Sequence, residues 1–433
     1  MFAIIRTDKS SLRVVTRLIA ECPICSRKAV TQDEPAADLA ADASRAAHPT
    51  WSGDFNRSTP IRITNVQPIL GVLAQGAEQG KAVYVLGQLS ITSHHAMFRT
   101  VASSLAGVIR QWGHQANLAI DITRVSTMLA VLHQDNSVDI WLENLDVCMT
   151  CVAKRAMDAG SPVFGNDISD ILALTFPDLD ISPTDRVIFI FRDGWEFGLA
   201  YDLQTGRVFD RPAYERQLGR LMRELRYSDV YQVLQDDAAQ AELFRSGWFP
   251  FAEIISSEFR TLLAEVGDGS RLLRTEERLL KAFDEARLDR MLDRWLNRAP
   301  LHARSALLKS GLSAFIRSDP HACIKILITE IEGVLQDAYR EAHEGKTAKL
   351  KSLVKFASQL GVKRAGAPQT LLFPESFGSY LTQQTFAAFS PAEGNGSASS
   401  RHAVGHGAAQ QDSYTMTRAL QVILTIDQLA FYM

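Results

Sequence analysis

Apolar spacing changes character near the middle of the chain, from short alternating runs to a helical period. Between about residues 60 and 160, Ala82-Val83-Tyr84-Val85-Leu86 predicts a strand, Met97 to Trp112 an amphipathic helix, and Val138-Asp139-Ile140-Trp141-Leu142 a second strand. The strongest β signal is Arg186-Val187-Ile188-Phe189-Ile190-Phe191, the Asp193-Gly194 turn, and then Trp195-Glu196-Phe197-Gly198-Leu199-Ala200-Tyr201. A second turn at Gln204-Thr205-Gly206 leads into Arg207-Val208-Phe209, so the stretch predicts a three-strand meander. Its aromatic face is either half of a core or a platform on which bases stack.

From residue 212 onward the period is helical. Leu272, Leu279, Leu280, Phe283, Leu288, Met291, Leu292 and Trp295 predict one exposed amphipathic helix over Arg271 to Arg298. Ile324, Leu327, Ile328, Ile331, Leu335 and Ala338 mark another, flanked by a polar row of Lys325, Thr329, Glu332 and Gln336. Glu332 in that row either orients a site histidine or pairs with a neighbouring helix. Met416 to Met433 follows Thr415, a suitable N-cap, and has almost no polar face, so it predicts a buried terminal helix.

These periods divide the chain into an N-terminal segment and linker over 1–60, a mixed α/β unit over 61–210, and an all-helical region over 211–433. The predicted fold class is α+β and multidomain. Residues 9–21 predict a short helix ending near Cys22-Pro23-Ile24-Cys25. The Ala-, Asp-, Pro- and Ser-rich stretch from Gln32 to Asp54 predicts a linker or mobile insertion.

Composition narrows the classes. A 433-residue chain with 46% apolar and 22% charged residues is an ordinary folded protein with room for two or three domains. A net charge of −3 supplies no global basic field, so any RNA site must be a local patch. Lys346, Lys349, Lys351, Lys355, Lys363 and Arg364 form one such stretch, although a solvated helix face explains it more simply. The first residues lack a secretory apolar core, and no run of 18 apolar residues occurs, so a cytoplasmic protein without a membrane partner is expected.

Five cysteines argue for reduced thiols. Cys22-x-x-Cys25 and Cys148-x-x-Cys151 each have the spacing of half a four-thiolate structural zinc site. The second pair sits in Leu145 to Ala153, which reads as an apolar helix, where two buried cysteines are the commoner explanation. His94-His95 points its rings apart on any regular element and is a poor ligand pair. Neither a phosphate-binding glycine loop nor a Gly-x-Ser-x-Gly or His-Glu-x-x-His motif is present, so no organic cofactor is expected.

One segment combines residues suited to phosphate chemistry. Arg401-His402-Ala403-Val404-Gly405-His406-Gly407 follows a Gly-, Pro- and Ser-rich loop and precedes the buried terminal helix. A guanidinium holds phosphate oxygens bidentately, and an imidazole exchanges protons near neutrality. Because RNA carries its own nucleophile in the 2′-OH, a base, an acid and an anion clamp are enough to cleave it without a metal. The plainer alternative pairs Arg401 with a carboxylate such as Asp427 and leaves His406 as a structural histidine. Gly405 and Gly407 also suggest that the motif lies in a turn instead of on a rigid scaffold.

The Arg-polar-x-x-x-His run, with the helix Ala419-Leu420-Gln421-Val422-Ile423-Leu424-Thr425-Ile426-Asp427 after it, resembles the C-terminal end of HEPN-superfamily proteins. Ile324 to Leu335 is similar to the preceding core helix of bacterial members. The resemblance covers about residues 250–433 and implies a helical bundle. It also implies an endoribonuclease of the toxin or phage-defence kind, acting on tRNA or mRNA as a homodimer whose two motifs share one cleft. Arg401 and His406 would be its catalytic pair and His402 the polar residue that commonly follows the arginine. The first half would then sense a trigger or restrain the nuclease.

Overall fold

The computed structural model describes residues 59–433 apart from 121, 123, 124, 144, 366–368 and 389–395. The helix expected over 9–21, the linker up to residue 54, and the Cys22 and Cys25 thiols lie outside the described residues. Antiparallel sheets occupy the N-terminal part and helices the C-terminal part, as the change of period predicts.

The main sheet has six strands: β1 (Ile61–Ile63), β4 (Gln88–Thr92), β5 (Thr127–Leu132), β6 (Val138–Leu142), β9 (Arg186–Asp193) and β10 (Glu196–Asp202). Their order is β1-β6-β5-β9-β10-β4, antiparallel throughout. Two further pairs stand outside it: β2 (Leu73–Ala74) with β3 (Val85–Leu86), and β7 (Cys148–Ala153) with β8 (Ile168–Thr175).

Side-chain alternation explains the long apolar runs of β5 and β9. Met128, Ala130, Leu132, Ile188 and Ile190 project to one face, where Val101, Leu105, Ile109 and Trp112 of helix α1 (Phe98–Gln115) cover them. Leu129, Val131, Val187, Phe189 and Phe191 project to the other face, beneath Tyr214, Leu218 and Leu221 of helix α2 (Arg211–Arg226). Both faces are buried, so a one-residue slip in register would still place apolar groups inside but would exchange large for small ones.

The predicted hairpin is present, closed by Gly194 at φ +62°. The predicted meander is not, because Arg207-Val208-Phe209 forms no strand. Instead β10 takes β4 as its second neighbour, and Phe209 turns into the core. Most of the hairpin's aromatic face is core: Phe189, Phe191 and Tyr201 are buried, Phe197 is half-buried, and Trp195 at the hairpin tip stands 87% exposed. Ala82 to Leu86 contributes just the two residues of β3, leaving Val83 and Tyr84 exposed.

Helix α2 shows how closely the sheet part meets the rest. Asp210 caps it through the Ala213 N–H at 2.9 Å, and Pro212 occupies its first turn. At Gly219 a Cβ would lie 2.5 Å from the Leu172 carbonyl oxygen, so only glycine lets α2 cross β8 at this distance. Strand β8 itself joins two cores, with Ile168 and Ile171 among the helices and Leu174, followed by Phe176 just past its end, against the sheet.

The helical part comprises α3 (Ser228–Gln235), α4 (Asp237–Arg245), α5 (Ser257–Leu263), α6 (Gly269–Ala282), α7 (Glu285–Leu296), α8 (Ala299–His302), α9 (Ser305–Ile316), α10 (Pro320–Ala342), α11 (Leu350–Ala365), α12 (Pro374–Tyr380), α13 (Arg401–Gly405) and α14 (Met416–Tyr432). The single helix expected over Arg271 to Arg298 is two. Phe283 turns into the core, and the Asp284 carboxylate caps α7 by accepting from the Arg287 N–H at 2.8 Å.

Helix α14 meets the prediction of burial. Thr415 caps it through Arg418 N–H at 3.1 Å, and every residue from Ala419 to Tyr432 is buried. Each fully enclosed Leu or Ile there contributes about 1.5–3 kcal/mol relative to exposure. Its few polar groups fasten surrounding segments. The Gln428 amide accepts from the Ala252 N–H at 2.8 Å and donates to the Leu372 carbonyl at 3.0 Å, where Tyr432 also donates. No helix among the described residues is long and apolar enough to cross a membrane.

Candidate functional site

The Arg401 motif is a short helix capped at both ends, not the loose turn expected from its glycines. Ser400 is the N-cap, accepting from the Ala403 N–H at 3.4 Å, and its own hydroxyl donates to the Ala387 carbonyl at 2.8 Å. At the other end Gly407 adopts φ +68°. Its N–H reaches the Val404 carbonyl at 3.1 Å, and the Ala408 N–H reaches the Ala403 carbonyl at 2.8 Å. This paired pattern ends a helix in the left-handed conformation that glycine adopts without steric cost, so Gly407 serves as the stop and leaves the motif ordered. A parallel bridge between Gly396 and Ala409 pins the returning chain.

Five residues at 100° per step sort α13 into two arcs. Ala403 and Val404 face inward and are buried. Arg401 and His402 are half-buried on the opposite arc, and His406, at the helix end, is exposed. The motif side chains therefore reach solvent while the helix itself is anchored in the core.

Arg401 finds a carboxylate, but not Asp427. Its Nη2 lies 2.9 Å from Oε2 of Glu332 on α10, with the two side chains 34% and 25% exposed. Asp427 is enclosed inside the bundle, where Oδ1 accepts from Arg294 Nη2 and Trp295 Nε1, both at 2.7 Å. Glu332 thus pairs with the segment bearing the motif, the meeting that its polar row left open. Two other members of the row do local work: Gln336 clips the Ala348 backbone, and Thr329 donates to the Ile326 carbonyl.

Two residues that the sequence pattern did not single out meet here, His321 on the outer face of α10 and Tyr414 just before α14. His321, one turn before Lys325, stacks on Tyr414 at 4.8 Å between ring centroids, and the Lys325 ammonium lies 5.7 Å from the same ring. Extending the polar row backward by four residues would have found His321. Tyr414 carries no such signal, since it only precedes the cap of α14. Together these place His321, Lys325, Glu332, Arg401 and Tyr414 along the contact of α10 with the α13–α14 segment.

The remaining candidates fall elsewhere. Lys346, Lys349, Lys351, Lys355 and Lys363 are exposed, whereas Arg364 is half-buried and lines a cavity. Cys148 and Cys151 lie on strand β7 rather than on the expected helix, Cys148 exposed and Cys151 packed against the helical core. Burial pushes the Cys151 thiol up to about 11, which disfavours thiolate chemistry there. Among the described residues no group of three or more His, Cys, Asp or Glu side chains is placed to hold a metal. His133 is held between Asp185 and Asp139, at 3.1 Å from each. Burial alone would lower its pKa, but these two bonds raise it above the ordinary value. With Asp139 on β6 and Asp185 just before β9, the cluster ties strand ends together.

Comparison with known proteins finds no match, whether to a family model, a curated protein or a solved structure.

Proposed function

We propose that the protein is a metal-independent endoribonuclease of HEPN type, working as a homodimer through a HEPN-like portion of the helical region at about residues 250–433. The observation that carries this reading is the placement of Arg401 and His406 on the solvent side of a short helix whose caps and buried Ala403 and Val404 hold it still. Positioned groups on a fixed element are what acid–base catalysis requires.

In the proposed reaction His406 takes the proton of an RNA 2′-OH, the 2′-oxygen bonds to the adjacent phosphorus, and the P–O5′ bond breaks. The departing 5′-oxygen receives a proton from water, the protonated His406 returns its own to solvent, and the product ends in a 2′,3′-cyclic phosphate. Arg401 holds the non-bridging oxygens as charge develops, with His402 beside it as a positioning residue. Glu332 lies 2.9 Å from Nη2 of Arg401, and the 34% exposure of the arginine side chain keeps it accessible to a phosphate. The substrate class is tRNA or mRNA, and the N-terminal half restrains or triggers the site, as in toxins and phage-defence effectors.

One observation favours a non-catalytic rival. The Glu332 carboxylate already neutralises Arg401, which suits a helical dimerisation or RNA-binding surface. The test is incubation of the purified protein with tRNA and mRNA in EDTA, followed by analysis of fragment ends. The nuclease reading expects new ends bearing 2′,3′-cyclic phosphate, absent with Arg401→Ala and with His406→Ala. Tight RNA binding without any cleavage would favour the rival.

A further inference from the structure

A cavity of about 710 Å³ opens between the β7–β8 hairpin, α7 and the end of α11. That volume lies within the roughly 300–1,000 Å³ typical of small-molecule sites. Its wall carries six cations: Lys154, Arg155, Arg290, Arg294, Arg298 and Arg364.

Two of the six form ion pairs, and a third has a backbone acceptor. Arg155 pairs with Asp167 at 2.8 Å, Arg294 pairs with Glu253 at 2.8 Å and Asp427 at 2.7 Å, and Lys154 donates to the Glu253 carbonyl at 3.0 Å. The other three form no ion pair among the described residues. Arg290 donates to the Ala286 carbonyl at 3.0 Å and Arg298 to the Ala430 carbonyl at 3.1 Å. Arg364, at the C-terminal turn of α11, contributes a third such charge.

Carboxylates in the wall do not balance them. Asp170 is buried and committed to the Thr370 hydroxyl and the Leu371 and Ile171 amides. Only Asp293, exposed at the rim, remains. The helix ends at α7 and α11 offer partial negative charge of about half a unit each, short of what three guanidinium groups demand. Burial, and then the neighbouring Arg364 and Arg294 charges, pull Arg298 below its ordinary value. Keeping such like charges together in a half-buried wall is costly unless an anion joins them.

The cavity also has an apolar side, formed by Val152, Leu172, Leu372 and Phe431. We propose that it binds a small organic phosphate of nucleotide type, the phosphate held by Arg298 and Arg364 and the apolar part lying against Leu172, Leu372 and Phe431. Guanidinium groups suit the phosphate because each presents parallel N–H donors to two oxygens. The site uses no residue of the Arg401 motif and stands or falls apart from the nuclease reading.

Calorimetric titration of the full chain with ADP, pyrophosphate and adenosine tests it. Saturable binding of ADP at one site per chain is expected, at least tenfold tighter than adenosine. Arg298→Gln and Arg364→Gln should each weaken ADP about tenfold or more, while Arg401→Ala leaves it unchanged. Thermal melts provide a second readout: removing a repelled charge, Arg364→Gln should leave the ligand-free Tm unchanged or raise it, and ADP should raise Tm in wild type and Arg401→Ala but less in either glutamine variant. No saturable binding of either ADP or pyrophosphate, or full ADP affinity in the Arg298→Gln/Arg364→Gln double variant, would overturn the proposal. So would a ligand-free Tm that falls in Arg364→Gln, because that arginine would then have a partner in the fold.

Discussion

Arg294 and Arg401 are both arginines of the helical part held by carboxylates, yet their surroundings assign them different work. Arg294 is 14% exposed, meets Glu253 and Asp427, donates to the Lys154 carbonyl, and lies over the Phe431 ring at 4.6 Å. Every face of that guanidinium is spoken for. Arg401 is 34% exposed and among the described residues has one carboxylate, Glu332, at 2.9 Å. A charge that is mostly buried and held by two carboxylates specifies the fold, whereas one near the surface with a single carboxylate has capacity left for a ligand.

Breaking the enclosed cluster should therefore have the largest effect. Asp427→Ala takes one of the two carboxylates from Arg294 and leaves the Trp295 N–H unpaired, and is expected to cost about 1.5–3 kcal/mol in urea denaturation. Any loss of activity in this variant should follow its loss of folded protein. Gly407→Ala comes next. It forces an L-residue into the left-handed conformation at φ +68°, at a cost of about 1–2 kcal/mol, and should loosen the motif helix before the rest of the fold. Hydrogen exchange at Val404 to Ala408 would report that local opening.

Arg401→Ala should change stability by no more than about 1 kcal/mol, since a half-exposed pair is screened by water. An Arg401→Ala protein that melts as early as Asp427→Ala would erase the contrast between the two arginines. The last test is a pH slope. Burial pushes the Lys154 ammonium down to about 8 from 10.5, outweighing the Glu253 carboxylate. The unfolded chain then holds more protons than the folded one between about pH 8 and 10.5, so this group adds stability as pH rises through that window. Urea melts at pH 7.5 and 9.5 should show the gain in wild type and its loss in Lys154→Met.

The same contrast separates what the sequence could disclose from what it could not. The hairpin at Asp193-Gly194 and the burial of α14 were legible, because alternation and an all-apolar helix each have one reading. Cys148 to Ala153 misled because a short apolar run fits helix and strand alike, and only its pairing with β8 decides. The break at Phe283 and Asp284 was hidden because the apolar stripe resumes in nearly the same phase after the cap. Arg401 and His406 stood out locally, but the choice of Glu332 over Asp427 depends on how α10 and α14 pack. The cavity was invisible: Lys154, Arg298 and Arg364 come from three separate segments, and Arg364 read as part of a lysine-rich face.

The most direct test of the nuclease account compares RNA cleavage rates in EDTA for wild type, Arg401→Ala and His406→Ala proteins with matched melting temperatures. General acid–base and electrostatic contributions predict a loss of roughly 100-fold or more in each variant, with folding intact. Cleavage at the wild-type rate by either folded variant would contradict the assignment of this motif as the catalytic site.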